Sequence, residues 1–413
     1  MSQRIHCYAA GFGNSLARDL IRQYGTTGGT VLDPFVGSGT TIIEALSAGQ
    51  KAIGIDVDPV ACLIARVQTR KYDTTWLSDL LIRTLADLDS LEASLIQARL
   101  DDGKMLPGFL FSVDSLTAVI PNDPKIDFWF SPTHRATLAT LVAYLKTLND
   151  ERTRDIFAVS ISSAIVRKWP NTLSLAMDID HSRPHRAEPE ITEIPEQFDL
   201  FRRVFRTTMR VLMDLAERST SWPNESSMIE GKSEEEMLSM DAESVDLILT
   251  SPPYVNAIDY PRSHKFSEWW LSPKERNCIR SNYLGLRSVG RDYDLIESFY
   301  EIAPTTTGKL DWLREEKYKP KSSKVYRYVN DMEGVFAGCS HVLRKGGSLA
   351  FVLANNRVDG RVIPIVDIVE EMLRRRCFKQ VSSKSRQIER SRRRYPFGFK
   401  GTMNKEFVIT AVK

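Results

Sequence analysis

Cysteine is scarce in this sequence, and no cysteine has the neighbours that a metal site or a catalytic thiol requires. The 413 residues include five cysteines, with no C-x-x-C pair and no histidine pattern of metal-ligand spacing. They predict reduced thiols in a reducing compartment, and neither a disulfide framework nor a bound metal is expected. None lies in the Pro-Cys context used for covalent attack on a pyrimidine ring, so that chemistry is disfavoured.

Long apolar runs are also absent. No stretch approaches the roughly 20 apolar residues that span a bilayer, and Met1–Ile5 lacks the apolar core of a signal peptide. Apolar residues make up 42% of the chain and charged residues 26%, which is typical of soluble globular proteins. We therefore expect a cytoplasmic protein without a membrane partner, built as one elaborated domain or two.

The tetrapeptide Ser251-Pro252-Pro253-Tyr254 directly follows the apolar run 245–250. Two adjacent prolines cannot continue a β-ladder, because each lacks a backbone N–H and has a fixed φ. A strand must therefore end before them. The turn that follows offers carbonyl groups, a hydroxyl and an aromatic ring, which suit an exocyclic amino group on a stacked base. A Tyr254 ring packed into the core explains this turn alone equally well.

A second informative segment lies near the N-terminus. It predicts a short strand, a turn containing Gly37 and Gly39, a helix over Thr40–Ala48, and a strand over Lys51–Ile55 that ends at Asp56. This order is that of a doubly wound nucleotide site, in which the glycines let a ligand approach the backbone and the acid accepts from both ribose hydroxyls. The spacing departs from G-x-G-x-x-G, which disfavours a dinucleotide.

The two motifs are Asp33-Pro34-Phe35-x-Gly37-x-Gly39 and Ser251-Pro252-Pro253-Tyr254. Together they resemble the S-adenosylmethionine-dependent DNA amino-methyltransferases, which methylate cytosine N4 or adenine N6. Tyr8–Leu20, Leu343–Leu353 and Met403–Ile409 are similar to further segments of that family. The resemblance implies an α/β fold: a Rossmann-like methyltransferase sheet with helices on both faces, plus a mostly helical inserted domain. It also implies S-adenosyl-L-methionine as the cofactor.

The resemblance assigns roles to individual residues. The implied catalytic residues are Ser251, Pro252, Pro253 and Tyr254. The implied cofactor-binding residues are Phe12, Asp33, Pro34, Phe35, Gly37, Ser38, Gly39, Thr40, Asp56, Val57 and Thr250. One position departs from the family: Lys232 stands where an acidic residue usually meets the cofactor adenine. That contact must then come from elsewhere, such as Val57 or a backbone group, unless the register differs.

Positive charge is concentrated near the C-terminus. Between Arg374 and Lys400 there are eleven Lys or Arg residues and one acid, Glu389. Such runs are usually solvated loops, but this one lies between two predicted final strands, Ser348–Leu353 and Phe407–Val412, where an open α/β sheet binds its ligands. Phosphate contact is therefore favoured. The candidate nucleic-acid-binding residues are Arg386, Arg390, Arg392, Arg393, Arg394 and Lys400. A second basic stretch, from Lys317 to Arg327, with Tyr318, Tyr326 and Tyr328, suits the same role.

Periodicity divides the chain into a sheet-forming part and a helical part. Residues 1–72 and 225–413 are predicted to form the catalytic domain, with 261–325 as a secondary excursion within it. Residues 73–224 are predicted to be a mostly helical insertion for target recognition. Its apolar residues recur at three- and four-residue spacing in Trp76–Gln97, Thr137–Leu148, Arg152–Arg167 and Gln197–Arg218.

The implied substrate is a flipped base in double-stranded DNA. Ser251 favours cytosine N4, because serine at that motif position is commoner among the cytosine-N4 members, and adenine N6 is the alternative. An RNA or protein-glutamine methyltransferase, a non-catalytic nucleic-acid-binding subunit of a defence system and a nucleotide-dependent oxidoreductase stay open. The implied setting is prokaryotic and nucleoid-associated, with a cognate restriction endonuclease or other defence-system proteins as partners.

Overall fold

A computed structural model describes residues 5–6, 13–100, 105–167, 171–177, 193–220, 222–255, 260–271, 282–285, 292–315, 320–387 and 405–413. Its strands are β1 Thr30–Asp33, β2 Lys51–Asp56, β3 Leu110–Val113, β4 Leu116–Val119, β5 Ser226–Glu230, β6 Val245–Thr250, β7 Leu343–Leu353, β8 Asn356–Val358, β9 Arg361–Ile363, β10 Lys379–Gln387 and β11 Lys405–Val412. Its helices are α1 Asn14–Tyr24, α2 Thr40–Ser47, α3 Pro59–Thr69, α4 Thr74–Gln97, α5 Ile126–Trp129, α6 Pro132–Thr147, α7 Glu151–Ile165, α8 Ile194–Ser219, α9 Ser233–Ser239, α10 Tyr260–Leu271, α11 Asp292–Ile302, α12 Pro304–Thr307, α13 Asp311–Glu315, α14 Pro320–Val342 and α15 Ile365–Arg375.

Seven of these strands form one mixed sheet in the order β10-β11-β7-β6-β1-β2-β5. The strands β5, β2, β1, β6 and β7 are parallel, so their carboxyl ends meet at one edge. β11 is inserted antiparallel between β7 and β10. The chain order reverses between β1 and β6, and ligands of open α/β sheets bind at such a switch point.

The central strands are buried on both faces because their alternate residues enter two different cores. Val31, Leu247 and Val352 belong to a core that includes residues of α1 and α2. Leu32 and Ile248, their neighbours along β1 and β6, belong to a larger core with residues of α9, α14 and α15. Helices thus cover both faces, and the predicted fold class is confirmed.

Two glycines of α14, one helical turn apart, face α9, and only one of them is needed for the close approach of the two helices. A Cβ atom at Gly338 would lie 2.9 Å from the Cβ of Met237, closer than two such atoms can approach. A Cβ at Gly334 would lie 3.6 Å from that of Glu234, which is ordinary contact. Gly338 therefore sets the distance between the two helices, whereas Gly334 leaves room for a methyl group.

The chain divides into two compact units. One comprises residues 10–65, 222–258 and 277–413 and contains the seven-stranded sheet; the other comprises 1–9, 66–221 and 259–276. The second unit is mainly helical: α4 and α7 pack on α8, and α10 packs on α6 and α7. Residues 259–276 thus group with the helical unit, although most of them were predicted to be an excursion of the catalytic domain.

Predicted helices and strands recur with shifted ends. The predicted helix Thr137–Leu148 begins five residues earlier, because Ser131 accepts a hydrogen bond from the His134 backbone and Pro132 fills the first turn. β7 begins at Leu343, five residues before the start of the predicted strand Ser348–Leu353. β10 was not predicted, because its polar sequence has no apolar alternation. It is the edge strand of the sheet and therefore needs few apolar residues. Among the described residues, no helix is long and apolar enough to cross a membrane.

Gly338→Ala should lower the free energy of unfolding by about 1–3 kcal/mol, because the added methyl group overpacks the contact with Met237. Gly334→Ala is the matched control on the same helix, and its better helix propensity should raise stability by up to about 1 kcal/mol. Denaturant titration of both variants measures the difference. Equal effects of the two substitutions would contradict this account of the helix contact.

Candidate functional site

The Gly-rich turn between β1 and α2 has the conformation that its glycines permit. Gly37 and Gly39 have φ of 50° and 85°, in the left-handed region that residues with a Cβ rarely adopt. A Cβ at Gly39 would also lie 3.2 Å from the Cα of Ala65 on α3. The Gly39 backbone N–H donates to the Val36 carbonyl at 2.8 Å and closes the turn. The predicted site residues Ser38 and Thr40 flank this glycine, and Thr40 begins α2.

A direct hydrogen bond joins the two sequence motifs. The Thr250 hydroxyl, at the end of β6, donates to Asp33 Oδ1, at the end of β1, at 2.5 Å. Both residues are buried, and the same carboxylate oxygen accepts the Phe35 backbone N–H at 3.0 Å. Burial raises the pKa of Asp33 to about 6, although the hydrogen bonds oppose the shift. The structure therefore brings the Gly-rich turn and the Pro-Pro turn to the same sheet edge.

Asp56 organises the backbone around the Gly-rich turn. Its Oδ2 accepts the Gly37 N–H at 2.9 Å, and its Oδ1 accepts the Asp58 N–H at 3.0 Å. Each carboxylate oxygen keeps a further lone pair, so two hydroxyl donors can still bind. Burial of the carboxyl group, followed by the charge of Asp58, raises the pKa of Asp56 to about 7, although the residue keeps some exposed surface.

The turn after β5 lies against the same edge. The Gly231 N–H donates to the Asp56 carbonyl at 2.9 Å, and the Ser233 hydroxyl donates to the Pro34 carbonyl. Lys232 faces away toward Glu235, with 2.6 Å between Nζ and Oε1. The Glu236 carboxylate folds back over Gly231, where a Cβ would collide with its Oε1. An acidic group is therefore present at this turn, one helical turn beyond the position expected from the sequence.

The Ser251–Tyr254 turn is partly exposed. Ser251, Pro253 and Tyr254 keep some surface open to solvent, whereas Pro252 is buried. The Tyr254 ring packs against the larger core without entering it fully. Burial, together with the neighbouring Tyr254, raises the pKa of Tyr328 well above its usual value. The turn thus presents Tyr254 between a packed interior and solvent, as a stacking surface requires.

The predicted nucleic-acid-binding residues are only partly described. Arg386 lies near the carboxyl end of β10, and its Nε is 3.0 Å from Glu406 Oε1. The prediction that Tyr326 and Tyr328 contact a nucleic acid is wrong, because both are buried. The predicted residues that lie outside the described ranges are Phe12, Tyr318, Arg390, Arg392, Arg393, Arg394 and Lys400.

Some contributors to this edge were missed. Asp58 Oδ1 accepts the Val60 N–H at 2.8 Å and begins α3, and an Asp before a proline is a recognisable helix start. Ser233 and Asn356 carry no such signal, because their partners are distant in sequence. Within the described part of the chain, no cluster of His, Cys, Asp or Glu is suited to hold a metal ion.

Comparison with known proteins agrees with these motifs. A family model described as DNA methylase matches residues 2–67, which include the Gly-rich turn and Asp56. The chain is 23% identical over 410 residues to Type II methyltransferase M.MvaI of Kocuria varians, covering 95% of this chain and 85% of the relative. It is 24% identical to Type II methyltransferase M.BsoBI of Geobacillus stearothermophilus, covering 88% and 76% respectively.

A shorter match has a higher sequence identity. Type II methyltransferase M.MthZI of Methanothermobacter thermautotrophicus is 48% identical over 50 residues, which are 12% of this chain and 14% of the relative. The matches agree on an amino-methyltransferase of the N4/N6 type and confirm the predicted resemblance. S-adenosylmethionine is the methyl donor of the Type II DNA methyltransferases of this family.

Thr250→Val should lower the free energy of unfolding by about 1–3 kcal/mol at pH 8, because it removes a donor from a buried carboxylate. The pKa of Asp33 is raised in the folded state, so ionisation of its carboxyl group lowers the stability of the fold as pH rises from about 4 through 6. The hydrogen bond from the Thr250 hydroxyl offsets part of that loss. The loss should therefore be smaller at pH 5.

Thr410→Val is the matched control, since the Thr410 hydroxyl bonds to the exposed Ser382 side chain. Its effect should stay within about 0.5 kcal/mol. Denaturant titrations at the two pH values measure both variants. A Thr250→Val loss that does not depend on pH would argue against the assigned hydrogen bond.

Proposed function

We propose that this amino-methyltransferase of the N4/N6 type methylates cytosine N4 in double-stranded DNA, with Ser251–Tyr254 as the catalytic turn. The observation that carries the proposal is the Thr250–Asp33 hydrogen bond, which holds the Gly-rich turn and the catalytic turn at one sheet edge. A methyl donor on the first turn and a base on the second can then meet, as methyl transfer requires.

The residues at the Gly-rich turn fit S-adenosylmethionine. Gly37 and Gly39 supply the left-handed backbone that this turn needs, Gly37 keeps some exposed surface, and the remaining Asp56 lone pairs suit the ribose hydroxyls. When bound, the cofactor supplies an electrophilic methyl group on a positively charged sulfur. Phe35, Ser38, Thr40 and Val57 are assigned to the same site by their positions beside the turn and Asp56.

The catalytic turn acts on a weak nucleophile. The lone pair of an exocyclic amino nitrogen is delocalised into the base ring. The Ser251 side chain and the Pro252 carbonyl accept hydrogen bonds from this amino group, which favours a tetrahedral nitrogen whose lone pair faces the methyl donor. Tyr254 stacks on the base after it leaves the duplex. These residues form no covalent intermediate; they orient the amine and stabilise its developing charge.

Glu236 is our candidate for the amino group of the cofactor adenine. Its carboxylate lies over Gly231, and the Gly231 N–H binds the Asp56 carbonyl. A carboxylate accepts hydrogen bonds from an amino group, whereas the ammonium group of Lys232 can only donate. The Lys232–Glu235 ion pair also turns that lysine away from the role.

DNA binding and target recognition belong to the same proposal. The helical unit contains most of the segment that the family order assigns to recognition. β10 supplies exposed Lys379 and Lys384 at the sheet edge. Arg386 forms an ion pair with Glu406, so a contact of Arg386 with phosphate would replace one anionic partner by another. A cognate restriction endonuclease is the partner that this proposal implies.

The methylated base identifies the reaction. The chain is incubated with labelled S-adenosylmethionine and unmethylated genomic DNA, which is then digested to nucleosides and analysed by mass spectrometry. We expect N4-methyldeoxycytidine, whereas N6-methyldeoxyadenosine would replace the cytosine assignment. In a parallel incubation with single-stranded RNA of matched sequence, label in the RNA alone would overturn the DNA assignment.

Tyr254→Ala should lose about 1–3 kcal/mol of stacking on the base, whereas Tyr254→Phe keeps the ring and should retain turnover.

Cofactor affinity should rise roughly tenfold between pH 6 and pH 8. The pKa of Asp56 is about 7, and ribose hydroxyls bind its ionised form better, so affinity increases as the carboxyl group loses its proton. Asp56→Asn should weaken binding by about 1.5–3 kcal/mol at pH 8 and remove the pH dependence. Calorimetric titration at several pH values measures both.

Glu236→Gln is the companion variant in the same titration. It should weaken binding while leaving the increase with pH intact, because Asp56 is unchanged. An Asp56→Asn protein that binds like wild type would show that the cofactor site lies elsewhere. A Glu236→Gln protein with unchanged affinity would remove only the adenine assignment.

A further inference from the structure

Asn356 holds the main chain just beyond the catalytic turn. It begins β8, which follows β7 along the chain, and its side-chain Nδ2 donates to the Val255 carbonyl. Val255 comes directly after Tyr254 in the sequence. Val255 is 4% exposed and Asn356 is 6% exposed. The bond therefore links the segments that follow two neighbouring parallel strands, β6 and β7.

We propose that Asn356 is a positioning residue for methyl transfer, which fixes the catalytic turn through the Val255 carbonyl. The inference rests on the proposed function of that turn. Ladder pairing of β6 with β7 ends at Thr250 opposite Phe351. The following prolines have no N–H to donate, so the ladder cannot hold the turn beyond that point. Asn356 fixes the far end of the turn, while Thr250 fixes its beginning.

The second polar atom of the amide supports this role. Asn356 Oδ1 is buried and has no hydrogen-bond partner among the residues that the structure describes. A buried acceptor without a partner is costly, so the second polar atom of this amide lowers stability at this position. An amide that makes one bond, to the catalytic turn, is suited to orienting that turn.

The preceding residue offers a matched control. Asn355 is the same residue type, and its Oδ1 accepts the Val366 N–H at 3.0 Å near the start of α15. Removing either side chain deletes one hydrogen bond in the segment after β7. Only the Asn356 bond ends next to the catalytic turn, at Val255.

The test compares Asn356→Ala with Asn355→Ala in steady-state methylation of DNA. Asn356→Ala should lower kcat roughly 10- to 100-fold, because a misplaced turn misaligns the amine with the methyl group, while KM for the cofactor changes little. Asn355→Ala should keep kcat close to wild type at a similar loss of thermal stability. Equal kcat losses in the two variants would overturn the proposal.

Asn356→Asp separates orientation from packing, because the two side chains have nearly the same shape. An ionised carboxylate repels the Val255 carbonyl, whereas a protonated carboxyl group can donate to it. The kcat of Asn356→Asp relative to wild type should therefore rise as pH falls. A ratio that is constant with pH would show that only the shape of residue 356 matters and would overturn the proposal.

Amide hydrogen exchange gives a readout that does not depend on activity. The Tyr254 and Val255 amides should exchange faster in Asn356→Ala, and the Val366 amide should exchange faster in Asn355→Ala. If the Tyr254 and Val255 amides of Asn356→Ala exchange at the wild-type rate, the positioning role assigned to Asn356 is overturned. A wild-type chain that methylates no nucleic acid would refute the proposed function, while the exchange experiment would still decide whether Asn356 holds the turn.

Discussion

The site depends on the parallel pairing of β1 with β6 and on the hydrogen bond that completes it. Val31 and Leu32 pair with Leu247 and Ile248, and the Thr250–Asp33 bond follows at the carboxyl end. The pairing joins segments more than two hundred residues apart in sequence. Each motif alone is a turn with an alternative structural explanation, and this pairing places both turns at one edge of the sheet.

The same edge concentrates carboxyl groups in poorly solvated positions. The pKa values of Asp33 and Asp56 are both raised, chiefly by burial. Such an arrangement costs stability at neutral pH, and perturbed carboxyl groups of this kind cluster at functional sites. The backbone donors Phe35, Gly37 and Asp58 offset part of that cost. The groups that shape the Gly-rich turn are therefore also the groups that can respond to a ligand.

Four segments that follow parallel strands meet at this edge, and side-chain hydrogen bonds link them in pairs. Ser233 binds the Pro34 carbonyl, which ties the turn after β5 to the Gly-rich turn. Asn356 binds the Val255 carbonyl, which ties the segment after β7 to the end of the Ser251–Tyr254 turn. Parallel sheets leave such turns without ladder partners, so a site at their carboxyl ends needs side-chain hydrogen bonds to become rigid.

Features whose cause is local could be predicted from the sequence. Adjacent prolines end β6 at Thr250, glycines permit the turn before α2, and apolar periodicity indicates the long helices. The unpredicted strand β10 shows the limit of such reasoning, since an edge strand can be polar on both faces. The late start predicted for β7 has a similar origin, because its first residues, Leu343–Gly347, carry charges and glycines that are typical of turns.

The sequence by itself determined that β6 ends before the two prolines, which glycines can take a left-handed backbone, and which family motifs are present. Only the tertiary structure decided which distant groups meet: Thr250 with Asp33, Asn356 with Val255, and Met237 with Gly338. A serine, an asparagine or a glycine has the same local preferences whatever its partner. Contacts between residues one hundred or two hundred positions apart depend on the packing of the whole sheet, so no local sequence pattern predicts them.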